Sequence, residues 1–189
     1  FGKTGMYQGV PLYTFADNHD VDRVASSLKH REHLYPLYTL LFTMPGVPSI
    51  YYGSEFGIEG KKTNGSDLPL RPEIDLSKVK CISHSADLNS VIGKLARIRL
   101  NTEALCLGDY QQLFVGAEQF AFFRQTPRQQ CIVIVNSSDQ IAMLDLPLPQ
   151  GSSQRFSDRL NPGEAFQVVN GNLPQVSLYP NWGRILVSD

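Results

Sequence analysis

The sequence predicts an α/β segment followed by an all-β segment, residues 1–104 and 105–189 of a chain of 189 residues. Two patterns carry this. Up to Asn101, short apolar runs alternate with stretches whose apolar residues recur every three or four positions, the period of a helix with one buried face. After Leu105 come short strand-like runs separated by turn residues, the pattern of an antiparallel β-sandwich. A third observation bears on function. Ala16-Asp17-Asn18-His19-Asp20 directly follows a run of strand formers, and polar side chains at the carboxyl end of a strand are how (β/α) barrels present a site.

Pro11 to Phe15 is too short for a helix and reads as the first strand. From about Arg31 to Thr43, Leu34, Leu37, Tyr38, Leu41 and Phe42 recur at helical spacing, and Pro45-Gly46 ends that helix. Val47 to Tyr52 is a second buried strand closed by Gly53. Residues 57–80 lack any period and read as a long surface loop, a feature that is often functional. Val91, Ile92, Leu95 and Ile98 mark a second helix from about Leu88 to Asn101, and the order βαβα implies a parallel unit. The second half offers strands at Tyr110 to Val115, Gln119 to Arg124, Cys131 to Asn136, Ile141 to Leu146, Ala165 to Val169 and Arg184 to Val187. Thr126-Pro127, Asn161-Pro162-Gly163 and Asn170-Gly171 are among the turns between them.

A net charge of −1 argues against nucleic acid or an anionic membrane as the main partner. No apolar run is long enough to span a bilayer. Cys81, Cys106 and Cys131 are widely spaced, with no zinc-ligand pattern; they are expected to be free, mostly buried thiols in a reducing compartment such as the cytoplasm. The first residues, Phe1-Gly2-Lys3-Thr4, show no initiator Met, and a cut within a longer protein is the expectation.

Phe15-Ala16-Asp17-Asn18-His19-Asp20 resembles the last short signature of the α-amylase family of glycoside hydrolases. Pro45 to Gly57 resembles the family's next segment, the eighth barrel strand, and Ser66 to Pro72 is similar to a loop of some maltodextrin-cleaving members. Ile98-Arg99 fits the last barrel helix. The resemblance implies a partial (β/α)8 TIM barrel, its last two β/α units, followed by an antiparallel β-sandwich domain. It implies a retaining mechanism on the α-glucosidic bonds of malto-oligosaccharides or starch-like glucans, with a nucleophilic Asp, a general-acid Glu and a second Asp that stabilises the transition state. Asp20 matches that second Asp, and His19 matches the histidine that binds sugar hydroxyls. A fixed carboxylate suits an oxocarbenium-like transition state, which gains positive charge.

The nucleophile and acid are expected upstream, since residues 1–14 hold no Asp or Glu and Glu55 follows Asp20 by one β/α unit. This chain alone is therefore expected to be inactive. Asp17 and Asn18 either touch sugar or cap the turn or the next helix, and Arg23 either neutralises Asp20 or is a surface cation. Tyr13, Phe15, Tyr51 and Tyr52 are core or a stacking platform, while Asp67 and Arg71 either contact outer sugars or pair with each other. Ser54 departs from the Asp common in the family. His30, His33 and His84 read as surface residues. No cofactor or metal is assigned; calcium occurs in many relatives, but no dense Asp/Asn loop is visible. The expected partners are an α-glucan oligosaccharide, the missing amino-terminal barrel portion and, through the open barrel edge, a second copy of the chain. A non-catalytic carbohydrate-binding or structural module, and a family member that has lost activity and acts as a scaffold, are the rival readings.

Overall fold

Two short parallel strands open the structure, β1 (Tyr13–Phe15) and β2 (Val47–Ser49), with Tyr13 opposite Val47 and Phe15 opposite Ser49. The computed structural model describes residues 1–2, 4–78 and 87–189. Parallel strands need a crossover, and it is supplied by α1 (Val24–Ser27), a 3-10 turn over Arg31–His33 and α2 (Leu34–Thr43). Pro36 is tolerated because it lies in the first turn of α2. After the loop region comes α3 (Leu88–Leu100), and the short α4 (Glu103–Leu107) runs across the junction at residues 104 and 105. Cys81 and His84 lie outside the described residues.

The second segment is a β-sandwich. Six antiparallel strands run in the order β3-β4-β5-β10-β7-β8, and a separate ribbon pairs β6 with β9. Their ranges are β3 Asp109–Val115, β4 Gln119–Gln125, β5 Gln130–Asn136, β6 Ala142–Pro147, β7 Arg155–Asp158, β8 Ala165–Gln167, β9 Asn172–Leu178 and β10 Trp182–Ser188.

Period-two alternation gives the large sheet two apolar faces. Phe122, Cys131, Val133, Ile185 and Val187 pack on Leu34, Tyr38 and Phe42 of α2 and on Leu88, Ile92 and Leu95 of α3. Ala121, Phe123, Ile132, Ile134 and Leu186 face the ribbon residues Leu146, Leu173, Val176 and Leu178. The central strands are buried on both sides, which is why they read as unbroken apolar runs. One core thus joins the helices of the first segment to the sheet of the second.

Two buried arginines take the orphan carbonyls at the end of α2, and the one from β4, Arg124, crosses that joint. Arg99 donates to Phe42 O (2.8 Å), Met44 O (3.2 Å) and Gly46 O. Arg124, from β4, donates to Thr43 O (2.7 Å) and to Gly108 O (2.9 Å). Burial and the neighbouring Arg99 charge bring Arg124 down to about 10. His33, expected at the surface, is half-buried and shares a ring nitrogen with Ser137 O at 3.0 Å.

The thiols correct the expectation in part: Cys131 is buried, but Cys106 is exposed. Burial pushes the Cys131 thiol far above its ordinary 9.0. Above that pH the unfolded chain gives up this proton and the folded chain keeps it, so the contribution present below pH 9.0 is lost as pH rises. Urea unfolding of the wild type should therefore weaken with pH above 9.0 more steeply than that of Cys131→Val. Equal slopes would mean that the thiol ionises freely in the folded chain.

Candidate functional site

Because β1 and β2 are parallel, the segments leaving them, Ala16–Asp20 and Ile50–Tyr52, emerge at the same carboxyl end. The polar side chains there divide into a buried floor and an exposed top.

The floor is Asp17, Ser54 and Arg23, all essentially inaccessible. Asp17 Oδ2 accepts the Val24 amide at 2.9 Å and so caps α1, while its two oxygens lie 2.9 and 2.8 Å from the donating Ser54 hydroxyl. Ser54 Oγ accepts in turn from Arg23 Nη1 at 3.2 Å. Arg23 also donates to Tyr52 O (2.6 Å) and Leu70 O (3.1 Å), and its guanidinium lies 4.1 Å from the centre of the Tyr51 ring. The hydroxyl of Ser54 thus bridges a buried carboxylate and a buried guanidinium, the role sequence reasoning missed; Ser54 showed there only as a departure. These contacts correct the reading of Arg23 and decide between the two alternatives for Asp17. Arg23 is neither a surface cation nor a neighbour of Asp20, because carbonyls of residues 52 and 70 draw it inward. Asp17 is a cap with no face left for sugar.

The top is His19 and Asp20. Asn18 Oδ1 accepts the Asp20 amide at 2.8 Å, an Asx turn that sets both side chains outward. His19 Nε2 lies 3.3 Å from Asp20 Oδ2, with side-chain exposures of 55% and 62%. Loop residues 57–78 close one side. Arg71 Nη2 sits 3.8 Å from Asp20 Oδ1, 3.9 Å from Asp67 Oδ2 and 3.5 Å from His19 O. Lys62 Nζ is 3.5 Å from Asp67, and the Lys62 amide donates to Asp22 Oδ1 at 2.7 Å. Asp67 and Arg71 therefore pair with each other while Arg71 also faces Asp20.

The loop is tied down from below. Arg23 N donates to Gly60 O (2.9 Å) and Gly60 N to Ser26 Oγ (2.8 Å). A Cβ on Gly60 would stand 2.2 Å from Pro69 O, so only glycine lets the two limbs meet.

Tyr13, Phe15 and Tyr52 are exposed at 67%, 45% and 44% rather than core, and the His19 and Tyr51 rings lie 6.4 Å apart. Desolvation first, then Tyr52, raises the Tyr51 phenol, which stays neutral near pH 7. Glu55 is half-buried in a 3-10 turn over Ser54–Phe56, and its Oε2 has no partner among the described residues. The exposed pair can accept and donate hydrogen bonds to hydroxyls, and Asp20 can hold a negative charge against a cation. No group of three His, Cys, Asp or Glu suited to a metal occurs among the described residues.

A model of the α-amylase catalytic domain matches residues 3–99. A cyclomaltodextrin glucanotransferase of Niallia circulans is 32% identical over 163 residues, which is 84% of this chain and 20% of that protein. The chain thus spans about a fifth of the length of such curated relatives. The structure of CldA, a cyclomaltodextrin glucanotransferase with a three-domain ABC distribution, superposes with a TM-score of 0.75 at 26% identity, covering 94% of this chain and 36% of CldA. The α-amylase of Geobacillus thermoleovorans, solved with acarbose, shares the fold with a TM-score of 0.77 at 19% identity, over 94% of this chain and 38% of that one.

Proposed function

The chain belongs to the α-amylase family of glycoside hydrolases, and from that premise we propose that it is the carboxyl-terminal portion of an enzyme acting on α-glucosidic bonds of malto-oligosaccharides or starch-like glucans. Residues 1–104 are the last two β/α units of its barrel, and residues 105–189 are its terminal sandwich. The observation that carries this reading is the exposed His19–Asp20 pair at the carboxyl end of two parallel strands, with Arg71 opposite.

The reaction is a retaining displacement in which the nucleophile and the general acid come from outside this chain. As the bond to the leaving oxygen lengthens, positive charge spreads over the anomeric carbon and ring oxygen. Asp20, fixed by the Asn18 turn, stabilises that charge, which is weaker in the ground state, so its contribution falls on kcat. His19 hydrogen-bonds a sugar hydroxyl, its ring oriented by the neighbouring Asp20 carboxylate. Arg71 and Asp67 meet the next sugar along. Asn18 acts through its turn, and Asp17 and Arg23 act by holding the floor. The free edge of β1 and the apolar groove along Leu37, Leu40, Leu41 and Phe120 seat further β/α units of the barrel or, when those are absent, a second copy.

Hydrolysis of maltotetraose tests the reading. The chain alone and its Asp20→Asn variant should both release no sugar. In a protein that carries the upstream barrel as well, Asp20→Asn should lower kcat by roughly a thousandfold and KM far less. Activity of the isolated chain that disappears with Asp20→Asn would mean that a second carboxylate of this chain, Glu55 first, completes the site.

A further inference from the structure

The side chains of eight of the chain's ten arginines donate to a carbonyl, a hydroxyl or a carboxylate. Arg97 and Arg159 are the other two, with no partner among the described residues, and both line the same recess of about 410 Å³. It lies between α3 and the large sheet, on the far side of α3 from its apolar contacts with α2. Lys94 and Arg97 of α3 and the residue that ends it, Asn101, line one side at three- and four-residue spacing, and Arg159 comes from the turn after β7. Thr102 and Gln129 complete the wall.

The three cations and Gln129 are suited to an anion, while the Asn101 amide nitrogen is taken by Arg97 O at 2.8 Å. Lys94 Nζ is steadied by Leu160 O, which leaves its other protons free. Gln129 has its oxygen committed to the Ala104 amide at 3.1 Å, so its amide nitrogen is the end left to donate. The nearby carboxylates are already engaged. Glu103 pairs with Arg128 (2.9 Å), Asp158 is turned inward onto Arg184 (2.9 Å), and Asp189 pairs with Arg155 (3.0 Å). Three cations around a recess with no acid in its wall concentrate positive potential there. Two guanidinium forks suit the tetrahedral oxygens of phosphate better than a single carboxylate.

We propose that this recess is an anion site for a phosphate group, free or carried by a sugar. It is separate from the Asp20 site and does not depend on the proposed function. A volume of about 410 Å³ falls in the range of small-ligand sites and leaves room for a hexose beside the phosphate.

The full chain is titrated with inorganic phosphate, glucose 1-phosphate and glucose, with ionic strength held constant by sodium chloride. The side-chain Nε–Hε resonances of Arg97 and Arg159 are followed. Both should shift saturably with phosphate, with half-saturation on the order of 1 mM, and glucose should leave them still. Arg97→Gln and Arg159→Gln should each weaken binding about tenfold, whereas Lys78→Gln, whose partner Asp75 lies in the loop after β2, should not. Amide spectra of the variants verify the fold, and Arg159→Lys, which keeps the charge but loses the fork, should weaken binding by an intermediate factor. Tighter binding of glucose 1-phosphate than of phosphate assigns the site to a sugar phosphate; equal binding assigns it to phosphate itself. Linear shifts, phosphate affinity unchanged when either arginine is replaced and the remaining one is followed, or a response to a polyglutamate peptide but not to phosphate would overturn the proposal.

Discussion

Asp158→Ala should cost about 3–5 kcal/mol, a large part of the stability of a chain this size, and lower the melting midpoint by on the order of 10 °C. Asp158, at the end of β7, has no exposed side-chain surface and accepts from Leu160 N (2.9 Å), Asn161 N (3.0 Å), Asn161 Nδ2 (2.8 Å), Ile185 N (3.3 Å) and Arg184 Nη1 (2.9 Å). Removing the carboxylate strands buried amides and leaves Arg184, itself 1% exposed, with only Glu164 to balance it. Arg184 also donates to Ser177 of β9, so the damage reaches the ribbon. Asp158→Asn keeps one acceptor oxygen and should cost about half as much. A midpoint moved by less than a degree or two in Asp158→Ala would show that the network is dispensable, and that the apolar faces alone hold β7 and β10 together.

The same residue explains why part of the fold escaped the sequence. In β7 the inward positions are Phe156 and Asp158, and a buried charge reads as a turn residue until Arg184 is known to face it. β9 was hidden for another reason. It contains Pro174 and a positive-φ Gln175, and a bulge opposite Asp145 turns Leu173 and Val176 inward across a three-residue step. That step breaks the alternation on which strand reading depends. α1 and α4 are too short to display a helical period. By contrast β4, β5 and β10 are buried on both faces, and α2 and α3 have one apolar face each, so both kinds of pattern lie in the residues themselves. At the site, the polar cluster behind a strand was legible, as was the place of Asp20. Which polar side chains turn inward was not, because Asp17 and Arg23 are buried by partners at residues 52, 54 and 70.

Arg23→Met should therefore be as damaging as a core truncation, although its position after an exposed signature suggests otherwise. The change removes donors to Leu70 O, Tyr52 O and Ser54 Oγ and leaves the Asp17 carboxylate buried without its counter-charge. The expected cost is about 3–5 kcal/mol. Much of that cost comes from the stranded carboxylate rather than from the lost bonds, for Arg23 Nη2 already lacks a partner among the described residues. Adding Asp17→Asn to Arg23→Met should consequently recover about 1 kcal/mol or more, so that the double variant is milder than the two single costs combined. The consequence for the site runs through the loop. Without the tie at Leu70 O, residues 57–78 open more often, and tryptic cleavage at Lys61 and Lys62 should quicken by on the order of tenfold. Arg71 leaves Asp20 with that loop, so the exposed carboxylate loses its neighbouring cation even though no residue of the His19–Asp20 pair has changed. Strictly additive energies with unchanged cleavage would instead make Arg23 a filler of space, and the floor would owe its order to Asp17 and Ser54 alone.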